Sequence, residues 1–308
     1  MNSATPISGI YVAAVTPHRH ADGYEADVGA LLEMLDFLAG AGVNGVALLG
    51  STGEFLHLTF DDRVRLVQLA VKRSRVPVLA GVGHSTLDAA IELGREAVSA
   101  GAAGLLLMPP YFFRYSQEDI REFYLQFAAA VGPPARILLY NVPFFTNEIG
   151  IETATSLLAT GQFAGIKDSS GQYTYFERLH AVSKEKPFTL LVGNDRIYTR
   201  ARQAGAHGVV SGVACAVPEL LVALDRAIQK NLPADVERLD ARLHEFIAWH
   251  DRFPTPVAIK TAVRERGLKV GPLAMPLAPP SQKCLEEFRE WFKSWLPAVQ
   301  REAKLHSL

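Results

Sequence analysis

AGVNGVALLG, residues 41–50, packs a helix end, a tight turn and a buried strand into ten residues. It follows LLEMLDFLAG (31–40), whose apolar residues recur at three- and four-residue spacing, as on one face of a helix. Gly42 suits the position just past a helix, where φ turns positive. Gly45 opens an apolar run that must lie close to its neighbours. The same signature returns as AGAAGL at 100–105 and AGAHGV at 204–209, with TGQFAGI at 160–166 a looser copy. The repeating unit is therefore helix, αβ turn, buried strand.

Working outward from this unit, apolar runs predict eight strands. They are YVAAVTP (11–17), GVALLG (45–50), PVLAGVG (77–83), GLLLMPP (104–110), RILLYNVP (136–143), FAGIKD (163–168), TLLVGND (189–195) and GVVSGV (208–213). These runs are continuous rather than alternating, the pattern of parallel strands covered by helices. Amphipathic stretches at 31–40, 61–73, 87–99 and 117–131 predict the intervening helices. Eight strands alternating with helices give an α/β fold, a (β/α)8 TIM barrel. A doubly wound sheet is the runner-up, disfavoured because no GxGxxG turn accompanies the units. After residue 230 the pattern changes to helices at 233–252, 255–267 and 281–305, with PLAMPLAPP (272–280) as a proline-rich connector. Residues 1–230 thus read as the barrel and 231–308 as a C-terminal helical extension packed on it.

The totals exclude several classes of function. Of 308 residues, 49% are hydrophobic and 20% charged, enough apolar material for one large core. A formal net charge of −1 supplies no basic field to attract nucleic acid or an anionic membrane. No run approaches the roughly 18 apolar residues that span a bilayer. The N-terminal MNSATPISGIYVAAVTP has no cationic segment followed by a long apolar one, so no secretory signal is expected. The two cysteines, Cys215 and Cys284, form no CxxC pair or metal spacing, as in a reducing compartment. A cytoplasmic protein is expected.

A TIM barrel places its chemistry at the C-terminal ends of its strands. That rule selects GSTGE (50–54), PPYFFRY (109–115), YNVPFFTN (140–147), KDSSG (167–171), GND (193–195) and SGV (211–213). Among ten lysines, Lys167 alone falls inside a predicted barrel strand. Taking a lysine out of water disfavours the ammonium and favours the neutral amine, which attacks a ketone to form a Schiff base. The alternative is a structural ion pair with Asp168 or Glu54. Lys260, in PVAIKTAV, is a weaker competitor because its segment reads as an appended helix. Tyr140 closes strand 5 and is placed to shuttle a proton, or else to pack as an aromatic with its hydroxyl on the backbone. The glycines around Ser51 and Thr52 leave two N–H groups and two hydroxyls open to a carboxylate, although a plain βα turn reads the same way. Glu54 caps the next helix or pairs with a cation. His57 and His84 are single loop histidines without metal spacing. Asp168, Ser169 and Ser170 are expected to begin the loop after the strand and line the substrate side.

Taken together, VTP (15–17), GSTGE, YNVP, GIKDSSG (165–171) and PTPVAIKTA…GPLAMPLAP (254–279) resemble the dihydrodipicolinate synthase and N-acetylneuraminate lyase superfamily. The likeness runs along nearly the whole chain. It implies a (β/α)8 barrel with a C-terminal helical extension, a homo-oligomer (tetramer or dimer), and a Schiff base between a strand-6 lysine and pyruvate or another 2-oxo acid. By that resemblance Lys167 forms the imine and Tyr140 transfers protons. Ser51 and Thr52 hold the 2-oxo acid carboxylate, Gly193 and Val210 line the pyruvate site, and Tyr111 belongs to the substrate-binding set. No metal or organic cofactor is implied, since the lysine itself is the electron sink.

Two departures bear on the subfamily. In the synthases YNVP continues Ser-Arg-Thr-Gly, and the arginine binds the carboxylate of aspartate semialdehyde. Here Phe145 stands at that position, and a phenyl ring makes no bidentate pair with a carboxylate. The synthases also carry two adjacent tyrosines after the strand-4 proline, whereas this chain has Tyr111-Phe112. The expectation is a class I aldolase or lyase joining or splitting a 2-oxo acid and an aldehyde. The alternatives are 4-hydroxy-tetrahydrodipicolinate synthase, a 2-keto-3-deoxy sugar acid dehydratase, and a non-catalytic sensor of 2-oxo acids.

Overall fold

A computed structural model describes residues 7–19 and 25–304. Eight parallel strands close on themselves in chain order. They are β1 (Gly9–Ala13), β2 (Gly45–Leu48), β3 (Val78–Gly81), β4 (Gly104–Leu107), β5 (Ile137–Asn141), β6 (Gly165–Asp168), β7 (Thr189–Val192) and β8 (Gly208–Ser211). The helices around them are α1 (Val28–Gly40), α2 (Phe60–Arg73), α3 (Leu87–Ala100), α4 (Gln117–Val131), α5 (Ile151–Ala159), α6 (Tyr173–Glu185), α7 (Tyr198–Gln203) and α8 (Val213–Ala216). The expected (β/α)8 barrel is the fold observed.

The glycines of the repeat do the two jobs expected of them. Gly101 ends α3 with φ 90°, and the leading glycines of the other copies also have positive φ, at 84°, 75° and 114°. The second glycine of each copy lies where strands crowd. A Cβ on Gly208 would stand 2.1 Å from Gly9 O, and one on Gly165 2.0 Å from Thr189 O. The strands are shorter than the apolar runs that predicted them. Those runs continue past the last ladder hydrogen bond into the barrel mouth, so Ala14 and Val15 stay buried beyond the end of β1. β1 also begins two residues earlier than expected, because Gly9 pairs with Gly208 and closes the barrel.

The C-terminal helices are α9 (Pro218–Gln229), α10 (Pro233–His250), α11 (Val257–Glu265) and α12 (Pro279–Lys304). Phe246 of α10 meets Phe288 and Phe292 of α12 with ring centroids 6.0 Å apart, and these rings are continuous with the barrel core. Every residue of α11 from Val257 to Val263 is buried, so this helix is an inner layer rather than a surface element. Among the described residues no helix is long and apolar enough to cross a membrane.

Candidate active site

Strand alternation and ladder register decide what reaches the barrel mouth. In the pairing of β5 with β6, Tyr140 stands opposite Lys167 and Asn141 opposite Asp168. Successive side chains point to opposite faces, so the two members of each pair share a side. Lys167 is 4% exposed, with Nζ 3.8 Å from the centroid of the Tyr140 ring. The Tyr140 hydroxyl lies 3.2 Å from Ser51 Oγ, which joins the β2 turn to the lysine strand. Burial pushes the Tyr140 phenol up. The Lys167 charge and hydrogen bonds with Ser51, Lys167 and Ser169 outweigh it, leaving the phenol below its ordinary value.

These groups open onto a cavity of about 660 Å³ whose walls include Ser51, Thr52, Tyr140, Lys167, Gly193 and Val210. Six of the seven expected site residues therefore converge on one space. Among the described residues, neither the Ser51 nor the Thr52 backbone N–H donates to a backbone carbonyl. Tyr111 is the exception. It sits in a separate pocket of about 450 Å³, edge-on to Phe55 at 6.1 Å between centroids. That pocket shares Ser51, Val142, Phe145 and Thr255 with the lysine cavity.

The structure corrects two expectations. Asp168 does not begin a loop or line the cavity. It is the last residue of β6, pointing away from Lys167, where Oδ1 accepts from Asn141 Nδ2 at 2.8 Å and Oδ2 from Ser170 Oγ at 2.8 Å. Ser169 and Ser170 do line the cavity. The alternative ion pairs for Lys167 also fall away, because Glu54 pairs with Lys260 of α11. Lys260 is buried in that pair, on a helix that forms an inner layer rather than an appended one.

The loop after β7 adds a group that sequence reasoning passed over. Asp195 lines the cavity, and burial raises its carboxyl to about 6 against hydrogen bonds from Ser211 and the Val213 backbone and the attraction of Lys167. Oδ1 is buried with no hydrogen-bond partner among the described residues. The signal was present in GND, at the end of a barrel strand, but nothing in the sequence marks which oxygen is left without a donor. The extension also reaches the cavity, through Ile247, His250, Asp251, Thr255 and Ile259. Arg196 and Asp251 form an ion pair at its rim.

A closed (β/α)8 barrel carrying a strand-borne lysine, a facing tyrosine and a hydroxyl pair at the C-terminal mouth is the architecture of class I, aldolase-type lyases. The sequence profile of the dihydrodipicolinate synthetase family matches residues 6–294, and the chain belongs to that family. It is 32% identical over 283 residues to a 4-hydroxy-tetrahydrodipicolinate synthase of Methanothrix thermoacetophila, covering 92% of this chain and 95% of that one. The solved 4-hydroxy-tetrahydrodipicolinate synthase of Methylacidiphilum fumariolicum superposes with a TM-score of 0.86 at 28% identity, covering 96% of this chain and 99% of that one. YagE of E. coli K12, solved in complex with pyruvate, gives a TM-score of 0.86 at 26% identity, covering 94% of this chain and 99% of that one. The protein is a carbon–carbon lyase of this family.

Proposed function

We propose that Lys167 forms a Schiff base with pyruvate or a closely related 2-oxo acid, and that the chain makes or cleaves the bond between C3 of that acid and an aldehyde carbon. The observation that carries this reading is the buried Lys167 amine held 3.8 Å from the Tyr140 ring, whose hydroxyl is bonded to Ser51. The neutral amine adds to the C2 carbonyl, and a proton moves from nitrogen to oxygen to give the carbinolamine. Protonation of that hydroxyl expels water and leaves the iminium. Loss of a C3 proton gives the enamine, whose C3 attacks the aldehyde carbon while a proton goes to the aldehyde oxygen. Hydrolysis then returns the product and the free lysine, and the reverse sequence is cleavage. Tyr140 carries the protons at the carbinolamine, a role consistent with a phenol held below its ordinary value by Lys167 and Ser51. The Ser51 and Thr52 hydroxyls and open N–H groups hold the carboxylate.

The acceptor is proposed to differ from aspartate semialdehyde. Phe145 lines the cavity where the synthases carry a carboxylate-binding arginine, and it brings no charge. The family's homo-oligomer is supported by the apolar side chains around the mouth, with Phe112 88% and Phe144 70% exposed. Borohydride treatment with pyruvate tests the central reading. A stable mass gain confined to Lys167 is expected, together with loss of turnover in Lys167→Arg. A protein that takes up no adduct overturns the reading. Pyruvate release from a panel of 2-oxo sugar acids then separates aldolase from dehydratase and from sensor.

A further inference from the structure

A second lysine stands behind the cavity. Lys260, fully buried in α11, pairs through its ammonium with the carboxylate of Glu54 and lies 3.4 Å from His18 Nδ1. Glu54 ends the turn that presents Ser51 and Thr52. Leu49 before that turn and Glu54 at its end have φ of 59° and 51°. Left-handed backbone at two non-glycine residues is unfavourable, and it persists only where the surroundings hold it. Thr16 Oγ1 supplies one hold, donating to Gly53 O at 2.6 Å. The Glu54–Lys260 pair supplies another, tying the turn to the C-terminal extension.

The charge pattern fits such a bracket. Burial and the Lys260 charge push His18 down to about 3, so its imidazole is neutral and accepts from the ammonium. Burial lowers the Lys260 ammonium below its ordinary value; Glu54 opposes this by attraction and a hydrogen bond, and Arg264 adds a smaller repulsion. A buried ion pair recovers little beyond its own desolvation, so it is weak as glue. It is effective as a register device, because only one placement of the two partners satisfies both charges.

We infer that Lys260 is a positioning residue for the 2-oxo acid carboxylate: through Glu54 it fixes the backbone on which Ser51 and Thr52 meet that carboxylate. The inference rests on the assignment of Ser51 and Thr52 to the carboxylate made above. It also gives the C-terminal extension a part in substrate binding.

The test compares the full-length wild type with the double variant Glu54→Gln/Lys260→Met. Lys260→Met alone strands a buried carboxylate and is expected to fold poorly. The double variant removes both charges at similar volume, and thermal melting checks that it folds. The readout is the pyruvate concentration giving half-maximal borohydride trapping on Lys167. It is expected to rise about tenfold or more, with the trapping rate at saturating pyruvate within about threefold of wild type. A folded double variant with wild-type half-saturation overturns the inference. A wild type that is never trapped sinks the Schiff-base reading instead. Amide exchange of Ser51 to Phe55 then decides, since faster exchange in the equally stable double variant keeps the positioning role and unchanged exchange ends it.

Discussion

Gly193 and Lys167 fit together only because position 193 has no side chain. A Cβ there would stand 2.9 Å from Lys167 Cε and 2.0 Å from Ser169 Oγ. The first distance is below any ordinary carbon contact, and the Gly193 N–H, bonded to Asp168 O at 2.6 Å, keeps the backbone from backing away. Gly193→Ala is therefore expected to displace the lysine side chain. A shift on the order of 1 Å at a reacting group costs about 10²-fold in rate. Steady-state kcat/KM and borohydride trapping measure it, and wild-type values in both would show that the wall yields.

The Tyr140 hydroxyl and its ring have separable roles. Tyr140→Phe keeps an aromatic face beside Lys167 while deleting the group bonded to Ser51. Loss of a general acid–base is worth about 10²–10⁴ in kcat. The expected outcome is a fall of that size with trapping on Lys167 still reaching completion, only more slowly. Ser51→Ala should cost less, because Lys167 and Ser169 still hold the phenol. A Tyr140→Phe variant with unchanged kcat would remove the phenol from the proton path.

Most of the barrel was readable because its repeat states its own geometry. A glycine just past a helix and another opening an apolar run leave few backbone solutions, and both occur where the copies predicted them. The placement of Lys167 and Tyr140 at the barrel mouth was readable because both sit at the ends of continuous apolar strands. Asp168 was misread through a difference of one position. The predicted strand already ended on Asp168, and strand alternation sends the residue after Lys167 to the opposite face, away from the cavity. The Glu54–Lys260 pair was out of reach for another reason. It joins groups far apart in the chain, and α11 reads in the sequence as an ordinary amphipathic helix rather than a fully buried one. Tyr111 shares its strand end with the barrel chemistry, yet its loop carries it to the neighbouring pocket.

Asp195 makes stability depend on pH with a defined sign. Burial raises its carboxyl from 3.8 to about 6 in the folded chain. Between those values the folded state binds the extra proton, so the Asp195 contribution to stability is fully present below about pH 4 and is lost as pH rises through 6. His18 has the opposite slope: its folded value is depressed from 6.5 to about 3, so its contribution is lost as pH falls through that range. Comparing Asp195→Asn with the wild type at each pH cancels the His18 part. The variant should gain stability relative to wild type as pH rises from 4 to 7, read from denaturant midpoints. A constant difference across that range would mean that the Asp195 carboxyl is solvated.

The rim of the barrel mouth tests the assembly. Phe112 is 88% exposed with φ 75°, and its ring meets Phe113 edge-on at 5.0 Å. Leu56, Phe144 and Met275 are each more than half exposed, at 62%, 70% and 70%. Exposed apolar side chains of this size are what an interface with another protein would cover. A second copy of the chain is the proposed cover. Charging the patch at its most exposed point should break that contact, since an unpaired guanidinium in an apolar interface costs several kcal/mol. Phe112→Arg is therefore expected to lower the native mass in sedimentation velocity to that of a smaller species. The circular dichroism spectrum should stay unchanged, because the barrel core lies elsewhere. Wild-type protein that sediments as a single chain, or a variant that keeps the wild-type mass, would show that these rings face solvent or a different partner.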